Sequence, residues 1–178
     1  MITIISGSNR KDNKTVHFAK YVYLKLQERT NDEVRFFDLS GIEGNVISDD
    51  MYKNQTASVT EFQDTYFIPS SKFWFFIPEY NGSYPGILKL VLDAISVREL
   101  QQSFFNKKAC ITGIASGRAG NLRGMDHLSD VLNHLGMYVH PNKNPISSIY
   151  KLLDNDNKVM DENLEKSLDL QMKQFLEF

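Results

Sequence analysis

The chain has 178 residues, 42% of them hydrophobic and 12% aromatic, which is enough apolar material for one domain to form a core without disulfides or metal ions. Its 20 basic and 22 acidic residues leave a formal net charge of −2, too small to attract nucleic acid or an anionic membrane surface. The single cysteine excludes an intrachain disulfide framework, and no apolar run approaches the roughly 20 residues of a membrane-spanning helix. We therefore expect a soluble, cytoplasmic protein that forms one domain over residues 1–178.

The first part of the chain predicts a βαβ unit. Residues 1–5 form a short β-rich run that Ser6-Gly7-Ser8 interrupts. Within residues 15–28, apolar side chains recur at helical spacing with charged side chains on the other faces, and Asp12 or Asn13 is suited to cap this helix. Residues 33–39 are a second strand candidate. Two strands joined in this way pair in parallel through a right-handed crossover.

The next segment is polar and then strongly apolar. Residues 40–58 are rich in Gly, Asn, Asp and Ser without a sustained apolar period, so we predict a surface excursion there. A short helix over 59–66 is expected to follow it. The third strand, residues 72–77, is almost entirely apolar, as a central strand covered on both faces should be.

The third strand runs into the loop Pro78-Glu79-Tyr80-Asn81-Gly82-Ser83-Tyr84-Pro85-Gly86 and then a helical pattern over 87–95. Asn81-Gly82 is also typical of a type I′ hairpin turn between two strands. Because only two residues separate it from Pro85, which suits a first helical position, we favour a strand-to-helix connection. Leu88, Leu90, Leu92 and Ile95 are more apolar surface than one helix face can bury, which indicates a subunit contact.

The remaining elements complete an α/β pattern. Residues 107–115 are a fourth strand, 122–135 a helix ended by Gly136, and 137–140 a brief fifth strand. In the last helix, Leu164, Leu168, Met172 and Phe175 share a face. Strands alternating with helices predict a three-layer α/β/α sandwich, and the flavodoxin-like order 2-1-3-4-5 is the leading topology for its five-stranded parallel sheet. The ligand crevice of that fold lies between the loops that leave strands one and three.

The loop over residues 6–15 has the chemistry of a phosphate site. Its small residues allow a ligand to approach the backbone, and Arg10, Lys11 and Lys14 place three cations within five positions. A charge-assisted hydrogen bond contributes about 1.5–3 kcal/mol, against about 0.3–1 kcal/mol for the helix dipole, so Arg10 should bind phosphate more strongly than the helix end does. The loop lacks the GxxxxGK[ST] and GxGxxG patterns, which favours a monophosphate such as FMN over ATP. The alternative is a solvated basic turn that only caps a helix.

Three segments resemble the NADPH-dependent FMN reductase family, a flavodoxin-like group that includes chromate, quinone and azo-dye reductases. The first is Gly7-Ser8-x-Arg10 with Asn13 and Thr15. The second is the run 78–83 followed by Pro85-Gly86, which is the most specific of the three. The third is the run 116–120 leading into Leu122-Arg123, then Leu135-Gly136 and Val139-x-Pro141.

The resemblance implies a noncovalently bound FMN held by two groups of residues. The FMN phosphate would contact Ser8, Arg10, Asn13 and Thr15. The ring system would lie against Pro78, Glu79, Tyr80 and Asn81 on one side and Ser116, Gly117 and Arg118 on the other.

The resemblance also implies an activity and an assembly. An NAD(P)H oxidoreductase of this kind takes electrons from NADPH or NADH and passes them by a ping-pong mechanism to a quinone, azo compound, metal oxyanion or free flavin. No catalytic nucleophile or metal is required, because FMN itself accepts the hydride. A homodimer or a dimer of dimers is implied as well.

The alternatives are a reductase that uses FMN as a substrate and a module or electron carrier that binds FMN without turnover. The electron carrier ranks lower, because flavodoxins tend to be strongly acidic and this chain has a net charge of only −2.

Overall fold

A computed structural model describes residues 1–43 and 50–178, which fold into one parallel sheet with helices on both faces. The strands are β1 (Ile2–Ser6), β2 (Val34–Asp38), β3 (Lys72–Pro78), β4 (Lys108–Ile114), β5 (Tyr138–Val139) and β6 (Asn144–Ile146). The helices are α1 (Thr15–Gln27), α2 (Ala57–Phe62), α3 (Gly86–Val97), α4 (Leu100–Phe104), α5 (Leu122–His134) and α6 (Glu162–Glu177). The strand order β2-β1-β3-β4-β5 confirms the flavodoxin-like topology. Within the described ranges, no helix has both the length and the apolar character needed to cross a membrane.

The fifth position of the sheet is shared by two short strands. β5 pairs with Lys108 and Ala109 near the start of β4, whereas β6 pairs with residues 112–114 at its end. Pro141 lies between the two strands, and a proline cannot donate to a sheet ladder. The sequence predicted only one strand here, over 137–140, and β6 was missed.

The core lies in two layers because side chains of β3 alternate between the faces of the sheet. Phe73, Phe75 and Ile77 pack on the face covered by α3 and α5, and Trp74 and Phe76 pack on the face covered by α1 and α6. All five side chains are fully buried. The apolar run of β3 is therefore confirmed as a central strand covered on both sides.

The predicted surface excursion over residues 40–58 is only partly correct. Residues 44–49 lie outside the described residues. After them the chain turns at the surface, with exposed side chains at Asp50, Tyr52, Lys53 and Asn54 as predicted. Met51 is the exception, because it is 6% exposed and packs in the core with Val59 and Phe62. The apolar Met51 side chain anchors the segment just before Thr56, whose hydroxyl oxygen caps α2 by accepting the Val59 N–H.

The prediction that α3 carries surplus apolar surface is wrong. Leu88, Leu92 and Ile95 are at most 1% exposed, and only Leu90 is partly buried. The helix buries more than one face because it packs against α2 and α4 as well as against the sheet. The apolar pattern of α3 therefore no longer supports a subunit contact.

The ammonium group of Lys107 generates a prediction about stability. It donates hydrogen bonds to the carbonyl oxygens of Phe67 and Ile68, and burial lowers the pKa of Lys107 to about 8. An unfolded lysine has a pKa of about 10.4, so between these values the unfolded chain binds more protons than the folded one. Stability contributed at this position therefore rises with pH across that window.

We expect the unfolding free energy of the wild type to rise from about pH 8 to about pH 10 relative to that of Lys107→Met, because methionine has no proton to lose. Urea denaturation at several pH values measures both proteins. Identical pH dependence in the two proteins would contradict the assigned pKa of Lys107.

Candidate functional site

The loops that leave β1 and β3 lie side by side. Ser6 is in register with Phe76, and one residue later the Gly7 N–H donates to the Phe76 carbonyl oxygen at 2.8 Å. A Cβ atom at Gly7 would lie 3.1 Å from that oxygen and 3.2 Å from a methyl carbon of Ile77. Glycine at position 7 therefore allows the two loops to approach each other. The crevice predicted between the ends of strands one and three is present at this place.

A cleft of about 160 Å³ opens at this edge of the sheet. Three parts of the chain form its walls: the loop after β1, the ends of β3 and β4 with their exit loops, and a short segment after β6. The lining residues are Arg10, Asp12, Asn13, Lys14, Thr15, Pro78, Tyr80, Ile114, Ala115, Ser116, Ile149 and Tyr150. Two cationic side chains and one carboxylate among them leave a net positive charge, which suits an anionic ligand.

Asn13 shapes the first loop. Lys14 directly precedes α1, but the capping hydrogen bond comes from Asn13, one of the two predicted caps, whose Oδ1 accepts the Val16 N–H at 3.0 Å. The Asn13 Nδ2 donates to the Arg10 carbonyl oxygen at 2.9 Å. Both polar ends of this amide are thus bonded within the loop. The neighbouring Lys14 ammonium donates to Asn157 Oδ1 at 2.6 Å, which ties the loop to a turn before α6.

Tyr80 spans the cleft from the second loop to the first. Its hydroxyl oxygen lies 2.6 Å from Ser8 Oγ, and the Arg10 N–H also donates to Ser8 Oγ at 3.2 Å. The Arg10 guanidinium carbon lies 6.0 Å from the centre of the Tyr80 ring, within range of a cation–π interaction. Tyr80 lines the cleft, whereas Ser8, to which its hydroxyl is bonded, is fully buried.

The second loop contains both structures that the sequence suggested as alternatives. Asn81 has φ 52° and Gly82 φ 77°, and Tyr80 and Ser83 exchange backbone hydrogen bonds of 2.9 and 3.1 Å, as a type I′ turn requires. Helix α3 then begins at Gly86, which confirms the strand-to-helix connection. Pro85 lies one residue before the helix, with ψ 135°, and is not the first helical residue. The turn is also joined to α5, because Ser83 Oγ lies 2.9 Å from His127 Nδ1.

The third wall of the cleft was missed by the sequence analysis. The Ser148 N–H donates to the Gly117 carbonyl oxygen at 3.2 Å, and the Ile149 N–H to that of Ala115 at 3.4 Å. These bonds hold Ile149 and Tyr150 beside the exit loop of β4, where the exposed Tyr150 forms the outer lip. The only sequence signal was one apolar and aromatic pair in a polar segment, which is too common to indicate a site.

The structure brings some of the predicted contact residues together at the cleft and leaves others beside it. Those that line it are Arg10, Asn13, Thr15, Pro78, Tyr80 and Ser116. Glu79 lines a neighbouring hollow with Ala119, Leu122 and Arg123. Ser8, Asn81, Gly117 and Arg118 are not among the lining residues, and Ser8 is fully buried. A Cβ atom at Gly117 would meet none of the described atoms within 4 Å, so the space beside that loop is open.

Comparisons with known proteins give a family match and similar folds. A family model described as NADPH-dependent FMN reductase matches residues 1–150, and a search of curated proteins finds no match. Among solved structures, the chain is similar to FerB, a flavoenzyme NAD(P)H:(acceptor) oxidoreductase from Paracoccus denitrificans, with 25% identity and a TM-score of 0.80 over 99% of this chain and 94% of that chain. Its fold is also similar to that of the apo NADH:FMN oxidoreductase EMOB, with 20% identity and a TM-score of 0.74 over 98% and 87% of the two chains.

Replacing Asn13 tests how the first loop is held. Asn13→Ala removes the cap of α1, and we expect it to lower the unfolding free energy by about 1 kcal/mol. Asn13→Asp is the matched control, because a carboxylate still accepts the Val16 N–H. Urea denaturation of the three proteins measures the difference. Equal losses in the two variants would show that the cap is not what Asn13 contributes.

Proposed function

The chain belongs to the NADPH-dependent FMN reductase family, and from this premise we propose that it passes electrons from NADH or NADPH to a small acceptor by a ping-pong mechanism. Membership makes it an FMN-dependent NAD(P)H oxidoreductase. Bound FMN supplies the redox chemistry, since its ring accepts a hydride and transfers electrons onward. The observation that carries the proposal is the cleft in which Arg10, Lys14 and the Tyr80 hydroxyl converge.

The donors in the cleft fit the phosphate of FMN. A guanidinium group binds phosphate through two parallel hydrogen bonds, and the Arg10 side chain lines the cleft beside the start of α1. The Lys14 ammonium, held by Asn157, adds a second cation. Thr15 lines the same wall and is buried at the start of the helix. Asn13 would support binding indirectly, because its amide is bonded within the loop.

Tyr80 is proposed to contact the phosphate and not only the ring. Its hydroxyl reaches the first loop, where it lies 2.6 Å from the buried Ser8 hydroxyl. Ser8 accepts the Arg10 N–H and has one proton of its own, and we propose that it donates this proton to Tyr80 when FMN is bound, which frees the Tyr80 proton for the phosphate. In this arrangement Ser8 orients Tyr80, and Tyr80 donates to the phosphate oxygen.

The ring of FMN is proposed to lie at the open side of the cleft. A volume of about 160 Å³ is smaller than the roughly 300–1,000 Å³ of whole-ligand pockets, so the enclosed part would take the phosphate and ribityl chain. Pro78 and Ser116 lie at its margin, and the exposed loops with Asn81, Gly117 and Arg118 extend beyond it. We place the ring between these two loops.

An open ring face favours sequential use of one site by donor and acceptor. The exposed Tyr150 and the unobstructed space beside Gly117 would let a flat molecule reach the ring from solvent. The similarity to an NAD(P)H:(acceptor) oxidoreductase supports a small-molecule acceptor. Quinones, azo compounds, metal oxyanions and free flavin are the proposed acceptor classes.

The whole chain is proposed to work as one FMN-binding domain, including the part beyond residue 150. Gln171 of α6 accepts a hydrogen bond from Thr112 of β4 at 3.0 Å, and Thr112 accepts one from Trp74 of β3 at 2.8 Å. The Lys14–Asn157 hydrogen bond also joins this part to the phosphate loop. The homodimer or dimer of dimers stays a proposal that rests on family membership alone.

Spectroscopy with FMN distinguishes the enzyme from a passive flavin carrier. We expect the protein reconstituted with FMN to lose its visible flavin absorbance anaerobically on addition of NADPH or NADH, and to regain it when a quinone is added. Steady-state rates with a quinone should give parallel double-reciprocal lines, as ping-pong kinetics require. A bound flavin that neither nucleotide bleaches would contradict the oxidoreductase, and intersecting lines would contradict the ping-pong mechanism.

A comparison of FMN with riboflavin tests the phosphate contacts. Arg10→Ala should weaken FMN binding by about 1.5–3 kcal/mol, which is the strength of a charge-assisted hydrogen bond, and should leave riboflavin binding unchanged. Lys11→Ala is the matched control, because this neighbouring exposed cation does not line the cleft. Fluorescence titration measures the affinities of the wild type and both variants for FMN and for riboflavin. Equal FMN affinity for the two variants would remove Arg10 from the phosphate site.

A further inference from the structure

Asn121 occupies an unusual position between two loops of the cleft. It is 1% exposed and is the last residue before α5, in the loop that leaves β4. Its backbone is left-handed, with φ 63°, a conformation that asparagine tolerates better than most residues. Its carbonyl oxygen accepts the Met125 N–H at 3.0 Å. The residue therefore turns the chain from the loop into the helix.

The side chain of Asn121 bonds to the other loop. Its Nδ2 donates to the Ile77 carbonyl oxygen at 3.0 Å, and Ile77 directly precedes Pro78 at the cleft margin. A backbone bond from the Glu79 N–H to the Ile114 carbonyl oxygen, at 2.8 Å, lies close by in the same pair of strands. The Asn121 amide is thus a buried side-chain cross-link between the chain entering the second loop and the chain leaving the third.

This contact differs from that of a helix cap. A capping asparagine uses its side-chain oxygen to accept an N–H of the first helical turn. Here the oxygen has no hydrogen-bond partner among residues 1–43 and 50–178, and the nitrogen makes the bond to Ile77. An unpaired buried acceptor is costly. The amide is therefore placed for its donor, which faces the second loop.

Two glycines provide the space for this side chain. Gly124 lies inside α5, where glycine is an unfavourable residue. A Cβ atom there would lie only 2.2 Å from Asn121 Oδ1, so the side chain of Asn121 requires glycine at this position. A Cβ atom at Gly113 would lie 2.2 Å from the Gly120 carbonyl oxygen and 3.2 Å from Asn121 Cβ. A side chain at position 124 would therefore clash with the Asn121 amide itself, whereas one at position 113 would clash first with the backbone just before Asn121.

We propose that Asn121 is a positioning residue that sets the separation of the loops over 78–83 and 115–121, and through it the place of the FMN ring. The inference rests on the proposed function, which puts the ring between these loops. Asn121 is not among the residues that line the cleft, and its side chain donates to Ile77 and not to the phosphate loop. Its loss should therefore weaken the binding of the ring and leave the phosphate contacts intact.

The test uses Asn121→Gly, because glycine accepts the left-handed backbone while the substitution removes the side chain that bonds to Ile77. We expect the affinities for FMN and riboflavin to fall by the same factor, up to about tenfold, because flavin binding must then restore the loop arrangement that this one hydrogen bond maintains. The visible spectrum of the bound flavin should shift as its surroundings change. In Arg10→Ala, by contrast, only FMN affinity should fall.

Asn121→Asp at pH 8 keeps the shape of the side chain and replaces the donor with a carboxylate oxygen, so it should cause at least the same loss. Asn142→Asp is the control. Asn142 is not a lining residue of the cleft, and its Nδ2 donates to Gln174 Oε1 over 2.6 Å. The Asn142→Asp variant should bind both flavins like the wild type. Circular dichroism shows which variants fold. If Asn121→Asp does not fold, the affinities of Asn121→Gly decide the test. Wild-type affinities and an unchanged spectrum in folded Asn121→Gly would overturn the inference. A wild type that binds neither flavin would instead overturn the proposed function, and the inference with it.

Discussion

The close approach of β1 and β3 at their carboxyl ends is the constraint on which the site depends. The Gly7 N–H reaches the Phe76 carbonyl oxygen at 2.8 Å because position 7 has no side chain. Helices cover both faces of these strands, so their exit loops can leave only at the edge of the sheet. Ser8 and Tyr80, 72 residues apart in the chain, are thereby brought into hydrogen-bond contact.

The elements that were predicted correctly from the sequence are those long enough to show a hydrophobic pattern. The apolar run of β3 and the periodic faces of α1, α5 and α6 exist as expected. β6 and α4, with three and five residues, are too short to show a period. The burial of Met51 and of the α3 leucines depends on neighbours that are distant in the chain. Patterns within a segment cannot report such contacts.

The site was predictable to a similar extent. Local chemistry identified Arg10 and the Tyr80 loop, because cations and turn residues have meaning within a few positions. The direction of the Tyr80 side chain, the burial of Ser8 and the wall formed by Tyr150 arise from tertiary contacts. In the resulting account Tyr80 acts at the phosphate end of the cofactor, and Asn121 adjusts the loops at the ring end. Lys14 and Asn157 add a link to a region beyond the family match.

The most direct measurement is a crystal structure of the protein with FMN. We expect electron density for the phosphate within hydrogen-bond distance of the Arg10 guanidinium and the Tyr80 hydroxyl, with the ring between the loops over 78–83 and 115–121. Density for both loops with no FMN between them at saturating concentration would contradict this expectation. So would a phosphate bound away from Arg10.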